Sequence, residues 1–357
     1  MDSALKIPSL DGLRMVSFGI VFLSHAGLGD VVPGAFGVTV FFFLSGYLIT
    51  TLLRLERERT GDISLKRFYL RRILRILPPF YLVLAAALVG TALGIVPGEL
   101  HLRAVLAQAL NYGNYWIIDH GYDGMPGGTG VYWSLAVEEH FYVVFPWLYL
   151  LLTRDGTSPR TQARVLWGLC VLLLAWRAYL VLGLGVGLQR TGIASDTRFD
   201  SLLFGCALAI YGNPALDSSR ISERTWKYVL LPLALAALLA SFLVRSPVFR
   251  ETLRYTLQGV SLIAVFECAI RYPTWGFMRV LNWRLVMHVG VLSYSLYLVH
   301  LIVIYTLERR FLQPLGSAAV GVMAIVISLG LAEAMYQLVE RPCARLRHRL
   351  HAGARTG

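Results

Sequence analysis

The sequence predicts an all-α, polytopic integral membrane protein, a helical bundle of about ten transmembrane helices. Hydrophobic residues make up 56% of its 357 residues, charged residues make up 15%, and the mean hydropathy is +0.61. A soluble domain typically carries about 25% charged residues, so we expect the lipid bilayer to surround most of the surface. Apolar stretches long enough to cross a bilayer also recur along the whole chain.

Each predicted helix is an apolar stretch bounded by polar or turn-forming residues. The predicted helices are 13–30, 34–53, 72–95, 132–152, 164–183, 199–212, 227–244, 254–271, 287–307 and 316–339. The stretch 102–118 is less apolar and holds Arg103, Gln108 and Asn111. We therefore expect it to be half-buried or re-entrant rather than a span.

The domain organisation is predicted to be simple. No internal repeat and no linker rich in Pro, Ser and Gly divides the sequence. We expect one membrane domain over residues 1–345, followed by a basic cytoplasmic tail over 346–357. The four cysteines are scattered without metal-ligand spacing, so no metal is predicted.

Charge asymmetry predicts the orientation of the helices. The connection between the second and third helices is rich in Arg and Lys, whereas Arg103 is the one Arg or Lys in residues 97–131. The positive-inside rule places the first connection and both termini in the cytoplasm, although Arg309 and Arg310 fall on the opposite side. The net charge of +12 is then mostly an inner-surface charge, and a nucleic-acid partner is not expected because the basic residues flank membrane spans.

The first helix carries two ionisable residues, Arg14 and His25, which are eleven residues apart. This spacing is about three helical turns, so both side chains share one face and are separated by roughly 16 Å. Ionisable residues inside membrane helices are costly and usually face the protein interior. The pair indicates a functional site inside the bundle. The alternative is that the Arg14 side chain reaches the membrane–water interface and His25 is a packing residue.

Three further helices carry polar residues at a similar predicted depth. Ser134, Glu138 and Tyr142 form one stripe, and Ser293, Tyr297 and His300 form another. Arg198 and Asp200 begin the sixth predicted helix. Their common depth favours a water-accessible cavity, whereas helix–helix hydrogen bonding is the alternative for each stripe alone.

Several short motifs make the chain resemble the acyltransferase-3 family of membrane acyltransferases. In chain order they are Ser9-Leu10-Asp11-Gly12-Leu13-Arg14 with His25; Gly37-Val38 with Phe42-Phe43-Leu44-Ser45-Gly46-Tyr47-Leu48-Ile49; Arg71-Arg72-Ile73-Leu74-Arg75 with Pro78-Pro79-Phe80-Tyr81; Trp133-Ser134-Leu135-Ala136-Val137-Glu138 with Phe141-Tyr142; Arg198-Phe199-Asp200 with Leu203 and Gly205; Ser293-Tyr294-Ser295-Leu296-Tyr297-Leu298 with His300; and Glu340-Arg341-Pro342. These matches follow the family's order over nearly the whole chain.

The resemblance implies a ten-helix enzyme of the bacterial inner membrane. It would take an acyl group, commonly acetyl, from cytoplasmic acyl-CoA and pass it to a hydroxyl of a carbohydrate or other acceptor, often outside that membrane. The family's essential Arg and His, with ten residues between them, correspond to Arg14 and His25. Some relatives carry an appended hydrolase-like domain, and we expect this chain to be the form without it.

The chemistry of O-acylation assigns expected roles to these residues. An alcohol needs a base, and His25 is the candidate because imidazole titrates near neutrality. Glu138 could orient that imidazole, and Ser134, Tyr297 or a backbone N–H could donate to the thioester oxygen. The cations expected at the CoA phosphates are Arg14, Arg71, Arg72 and Arg75, and the residues expected at the substrate are Asp11, Trp133, Tyr142, Arg198, Asp200, Tyr297 and His300.

Other interpretations of the same residues remain open. Arg71, Arg72 and Arg75 could serve topology alone, Arg198 and Asp200 could form a structural ion pair, and Tyr297 and His300 could simply pack. A transporter or exporter of a small molecule or lipid-linked glycan would also carry intramembrane charges, but no related halves are visible. A third interpretation is an acyltransferase whose acceptor is cytoplasmic, such as a macrolide or a lipid precursor.

Overall fold

The computed structural model describes residues 7–352 of the chain, and these residues form helices joined by turns, with no β-strand among them. The helices are α1 (Pro8–Leu23), α2 (Gly34–Thr60), α3 (Leu65–Ala92), α4 (Leu102–Ala109), α5 (Gly113–His120), α6 (Trp133–Leu152), α7 (Pro159–Leu182), α8 (Leu188–Ile193), α9 (Ser195–Ile210), α10 (Glu223–Thr225), α11 (Leu231–Leu243), α12 (Pro247–Glu251), α13 (Leu253–Arg271), α14 (Arg284–Met335) and α15 (Arg341–Ala352). The all-α membrane bundle expected from the sequence is confirmed.

Eight helical segments of the described chain are long and apolar enough to cross a membrane. They are Gly34–Thr60, Leu65–Ala92, Thr129–Leu152, Pro159–Leu182, Glu223–Leu243, Leu253–Arg271, Arg284–Gln313 and Leu315–Arg347. The last two belong to α14 and its continuation, which break at Gly316, where the backbone leaves the helical region. The other two predicted helices correspond to α1 and α9, which have only 16 residues each.

Helices α2 and α3 extend further than hydropathy indicated. Charged residues such as Arg and Glu are good helix formers, so a helix continues beyond its apolar segment. Helix α2 ends where Gly61 adopts a left-handed conformation, with φ of +75°. Helix α3 begins after Ser64, whose hydroxyl accepts from the backbone N–H of Arg67.

The short helices α1 and α9 lie in the interior with α2. In α2, 78% of the most apolar window is buried within the protein, against 22% in α7. Helix α2 packs closely on α9, because a side chain at Gly46 would approach the carbonyl oxygen of Leu202 to 2.0 Å. Glycine at position 46 permits this close approach of the two helices. A similarly close contact joins α1 and α14, where a side chain at Gly290 would meet the backbone of Asp11.

The segment expected to be half-buried or re-entrant forms α4 and α5, two helices of eight residues that are each too short to span. At the other end of the chain, α15 runs through residue 345. The boundary expected there between membrane domain and tail therefore falls within a helix. Residues 353–357 of the expected tail lie outside the described residues.

Helix α1 ends in a π-helical turn, Ser24–Leu28, which carries His25. The turn is broken by Gly27, whose φ of +94° is a conformation that favours glycine. A π turn inserts an additional residue into a helix and changes the direction of its side chains. The position of the His25 ring therefore depends on this π turn, and regular helical spacing from Arg14 does not predict it.

Candidate active site

Five helices, α1, α2, α3, α6 and α14, enclose a polar cavity inside the bundle. Its volume is about 80 Å³, which is enough for several water molecules. The polar and charged lining residues are Arg14, Ser45, Arg72, Arg75, Ser134, Glu138, Tyr142, Ser293, Tyr294 and Tyr297. Three guanidinium groups and a single carboxylate thus face one space, which favours an anionic ligand.

The three cavity arginines differ in their partners. Arg14 pairs with Asp11, one turn away on α1, at 2.5 Å, and both residues are buried. The guanidinium of Arg72 lies over the ring of Tyr142, 5.1 Å from its centroid. Within the described residues, neither Arg72 nor Arg75 has a carboxylate within salt-bridge distance. These two cations are therefore available to a ligand.

Arg71, on the same helix, lies outside the cavity lining. Its guanidinium forms a salt bridge with Glu56 of α2 at 2.7 Å. The structure thus brings together three of the four arginines that the sequence suggested for the CoA phosphates. The fourth ties α3 to α2.

The hydroxyl and carboxyl groups of the cavity form two short hydrogen-bonded sets. Ser45 donates to Glu138 at 2.7 Å. The hydroxyls of Ser134 and Tyr297 lie 2.7 Å apart, and Tyr297 also donates to the carbonyl of Val131 at 3.0 Å. The Ser134 hydroxyl also lies 3.2 Å from the carbonyl of Val131. Each hydroxyl has one proton, so either can be the donor between the two.

His25 lies beside this cavity and contacts another imidazole. Its Nδ1 is 3.1 Å from Nε2 of His300, and the two rings are stacked with centroids 5.3 Å apart. His300 is fully buried, and its ring centroid is 5.6 Å from that of Tyr297, which lines the cavity. His25 therefore adjoins the cavity through His300 and Tyr297. Glu138, expected to orient His25, bonds Ser45 instead, and the imidazole of His300 is the partner of His25.

The sequence model of a family described as an acyltransferase domain matches residues 7–334. The chain belongs to this acyltransferase-3 family. The candidate site residues all lie within this match, whereas the closing motif Glu340-Arg341-Pro342 lies beyond it. No solved structure matches the chain significantly.

Curated relatives of this chain are named as O-acetyltransferases. The peptidoglycan O-acetyltransferase OatA of Listeria monocytogenes serovar 1/2a is 29% identical over 350 residues, 94% of this chain and 55% of that protein. YrhL of Bacillus subtilis strain 168, provisionally named a peptidoglycan O-acetyltransferase, is 30% identical over 354 residues, 94% of this chain and 54% of its own. The chain therefore spans little more than half the length of these relatives.

Two residues expected at the substrate lie elsewhere in the bundle. Asp200 forms a salt bridge with Arg177 of α7 at 2.7 Å, and both side chains are fully buried. Arg198 donates to the carbonyl of Gly192 and to Thr39, and its guanidinium lies over the ring of Tyr255. Neither residue lines the cavity.

The remaining expected residues lie in or next to the cavity lining. Tyr142 lines it directly, and Asp11 adjoins it through Arg14. Trp133 packs edge-on against Phe42, a lining residue, with ring centroids 6.2 Å apart. Its position is consistent with packing.

Sequence reasoning missed three polar contacts. Arg177 is a charged residue within an apolar helix, which could have marked it as a buried partner of Asp200. Ser45 is a small residue in an apolar run, and nothing in the sequence indicated its bond to Glu138. His140 and Ser195 lie 2.6 Å apart between α6 and α9, on a side of α6 away from the cavity. The described residues contain no cluster of His, Cys, Asp and Glu that could hold a metal ion.

Proposed function

We propose that this acyltransferase moves an acetyl group from acetyl-CoA to a hydroxyl of a glycan acceptor at the outer face of a bacterial inner membrane. The observation that carries the proposal is a cavity next to a histidine pair, in which Arg72 and Arg75 have no carboxylate partner among the described residues. The reported curated relatives are named peptidoglycan O-acetyltransferases, and these names support the acetyl group and the glycan.

In the proposed reaction, His25 takes the proton of the acceptor hydroxyl as its oxygen attacks the thioester carbon. The new C–O bond forms and the C–S bond breaks, so CoA leaves as a thiolate. The proton held by His25 then passes to that thiolate sulfur. The charge that develops on the carbonyl oxygen needs a donor, and the hydroxyls of Ser134 and Tyr297 are candidates in the cavity.

The donor would approach from the arginine-rich end of the bundle. The phosphates of CoA are too charged to enter hydrocarbon without a large cost. Arg72 and Arg75 would hold them or the adjoining part of the donor, and Arg14, fixed by Asp11, would stand between these cations and His25. The acceptor would then reach His25 from the opposite end.

The first experiment removes the base. We expect His25→Ala to lower transfer from radiolabelled acetyl-CoA by about 10²- to 10⁴-fold, the usual contribution of a general base. His288→Ala is the matched control, because His288 is an exposed histidine paired with Glu333 at the surface. Near-normal turnover in a folded His25→Ala protein would refute the assigned base.

A second experiment tests the sidedness of the site. Asp119 lies near the end of α5 and Arg59 near the end of α2, and both are exposed. In a variant without native cysteines, Asp119→Cys should react with an impermeant reagent added outside cells, and Arg59→Cys should not. Reversed labelling would place the acceptor end in the cytoplasm, as the interpretation with a cytoplasmic acceptor requires.

Arg14→Lys tests the route of the donor. The substitution keeps the charge but loses the forked geometry of the guanidinium. We expect a weaker affinity for acetyl-CoA, whereas Glu138→Gln should affect the donor less. An unchanged donor affinity in Arg14→Lys would mean that the donor does not pass Arg14.

A further inference from the structure

We propose that His300 is a positioning residue that fixes the tautomer of His25, so that Nε2 of His25 is the free base. This inference deepens the proposed function and rests on it for its kinetic consequences. Its structural content concerns two ring nitrogens that are 3.1 Å apart, and it can be tested without any substrate.

The first step concerns Nδ1 of His300. This atom lies 2.9 Å from the carbonyl oxygen of Tyr297 and 3.2 Å from that of Leu296. Carbonyl oxygens only accept hydrogen bonds. Nδ1 of His300 must therefore carry a hydrogen, which it shares between the two carbonyls.

The second step concerns the charge of His300. Its ring is fully buried, with the rings of Phe18, Phe22 and Tyr297 around it and His25 as its only ionisable hydrogen-bond partner in the described chain. A second proton would create a buried cation with no carboxylate to balance it, which is costly. His300 is therefore neutral, and its Nε2 carries a lone pair.

The third step transfers this constraint to His25. Because Nε2 of His300 can only accept, Nδ1 of His25 must donate to it and carries the hydrogen. The neutral ring of His25 then has its lone pair on Nε2, and this atom has no hydrogen-bond partner among the described residues. His25 is half-buried, so Nε2 is the nitrogen presented to an incoming hydroxyl.

The arrangement resembles a catalytic triad in its logic but differs in the charge of the orienting group. A triad carboxylate fixes the tautomer and also stabilises the imidazolium. His300 fixes the tautomer through a neutral acceptor, and its hydrogen bond becomes charge-assisted once His25 takes a proton. A base so positioned should release its proton to the leaving thiolate more readily than one paired with a carboxylate.

Two substitutions distinguish the role of the acceptor nitrogen of His300 from the role of its aromatic ring. His300→Gln keeps an acceptor that can reach the position of Nε2 but removes the aromatic ring. His300→Phe keeps a ring against Phe18 and Phe22 but removes the acceptor. If the acceptor matters, kcat should fall about 10- to 100-fold in the Phe variant, less than the loss of the base itself, with an unchanged KM for acetyl-CoA. The Gln variant should keep a substantial share of wild-type kcat.

A lower kcat in His300→Gln than in His300→Phe would overturn the inference, because the role of His300 would then be packing of its ring. Equal losses in both variants, with unchanged thermal stability, would also overturn it. A measurement on the unmodified protein keeps the test independent of folding and of activity. In ¹⁵N-histidine NMR, the signals that disappear in His25→Gln should show a protonated Nδ1 and an unprotonated Nε2.

A protonated Nε2 on neutral His25 would refute the proposed tautomer even if the protein is an active acetyltransferase. Conversely, wild-type protein that transfers no acetyl group but shows the expected ¹⁵N signals would refute the proposed function and leave the histidine geometry intact. The two failures are thus distinguishable.

Discussion

Two regions of the bundle contain arginine side chains, and they differ in whether a carboxylate pairs with the arginine. Between α7 and α9, Arg177 and Asp200 form a closed salt bridge with both side chains fully buried. In the cavity, Arg72 is stacked on Tyr142 and has no carboxylate within salt-bridge distance among the described residues. A charged residue in an apolar helix thus needs a counterpart, but only the tertiary structure shows whether the protein or a ligand supplies it.

The closed pair should produce the largest effect on stability. Arg177→Met leaves the carboxylate of Asp200 buried without its cation, and breaking a buried pair costs about 3–5 kcal/mol. We expect thermal unfolding in detergent at a much lower temperature, or loss of folded protein during purification.

The double variant Arg177→Met with Asp200→Leu is the control for this prediction. Replacing both charges with apolar groups removes the unpaired carboxylate, so much of the lost stability should return. A single variant as stable as the wild type would mean that the pair is not what holds α7 on α9.

The cavity arginines should show the opposite behaviour. We expect Arg72→Gln and Arg75→Gln to leave the unfolding temperature nearly unchanged and to raise the KM for acetyl-CoA by about 10- to 100-fold, since a charged hydrogen bond contributes about 1.5–3 kcal/mol. Arg71→Gln on the same helix is the matched control, because Arg71 is paired with Glu56 at 2.7 Å.

Steady-state kinetics with a fixed acceptor concentration would separate these three variants. An equal rise in KM for all of them would point to a general surface charge effect. A loss of stability confined to Arg72→Gln would show that its stacking on Tyr142, and not a ligand, is its main role.

Much of the architecture was predictable because the bilayer constrains it. Hydropathy located the long helices, and the apolar lengths required by a membrane leave few alternatives. The boundaries of α2 and α3 were not predictable from hydropathy, since charged residues extend both helices. Helices α1 and α9 were found as helices, but their place in the interior depends on contacts such as that of Gly46 with the backbone of Leu202.

The partners of the candidate site residues were less predictable than the residues themselves. Common depth grouped Ser134, Glu138 and His25, whereas the structure bonds Glu138 to Ser45 and His25 to His300. These pairs are 93 and 275 residues apart in sequence. Their pairing depends on helix rotation and on the π turn at the end of α1, and a stripe pattern contains neither.

A smaller effect should separate two tyrosines of the cavity. Tyr297 donates to the carbonyl of Val131 and contacts Ser134, whereas Tyr294 donates to the carbonyl of Ile76 at 2.8 Å. Each Tyr→Phe substitution removes one hydrogen bond to a carbonyl, so each should cost about 1 kcal/mol of stability.

Their effects on turnover should differ. If the hydroxyl pair of Ser134 and Tyr297 faces the developing oxyanion, Tyr297→Phe should lower kcat about tenfold or more, whereas Tyr294→Phe should not. Equal kcat values in the two variants would remove this hydroxyl pair from the reaction.

The smallest effect concerns a half-exposed pair, Arg54 and Asp217, which lies between the two extremes of the opening comparison. Burial raises the pKa of the Asp217 carboxyl. Hydrogen bonds from Arg54 and from the backbone N–H groups of Asn213 and Gly212 lower it by more, so the pKa lies below its usual value. A depressed pKa in the folded state means that the pair contributes stability above the unfolded-state pKa of about 3.9. That contribution is lost as pH falls through the lower folded-state pKa.

Wild-type protein should therefore unfold at a slightly higher temperature than Asp217→Asn at pH 7, and the difference should shrink in acid. A difference that does not change with pH would show that the Asp217 side chain stabilises the connection after α9 by shape and hydrogen bonding, without a contribution from its charge.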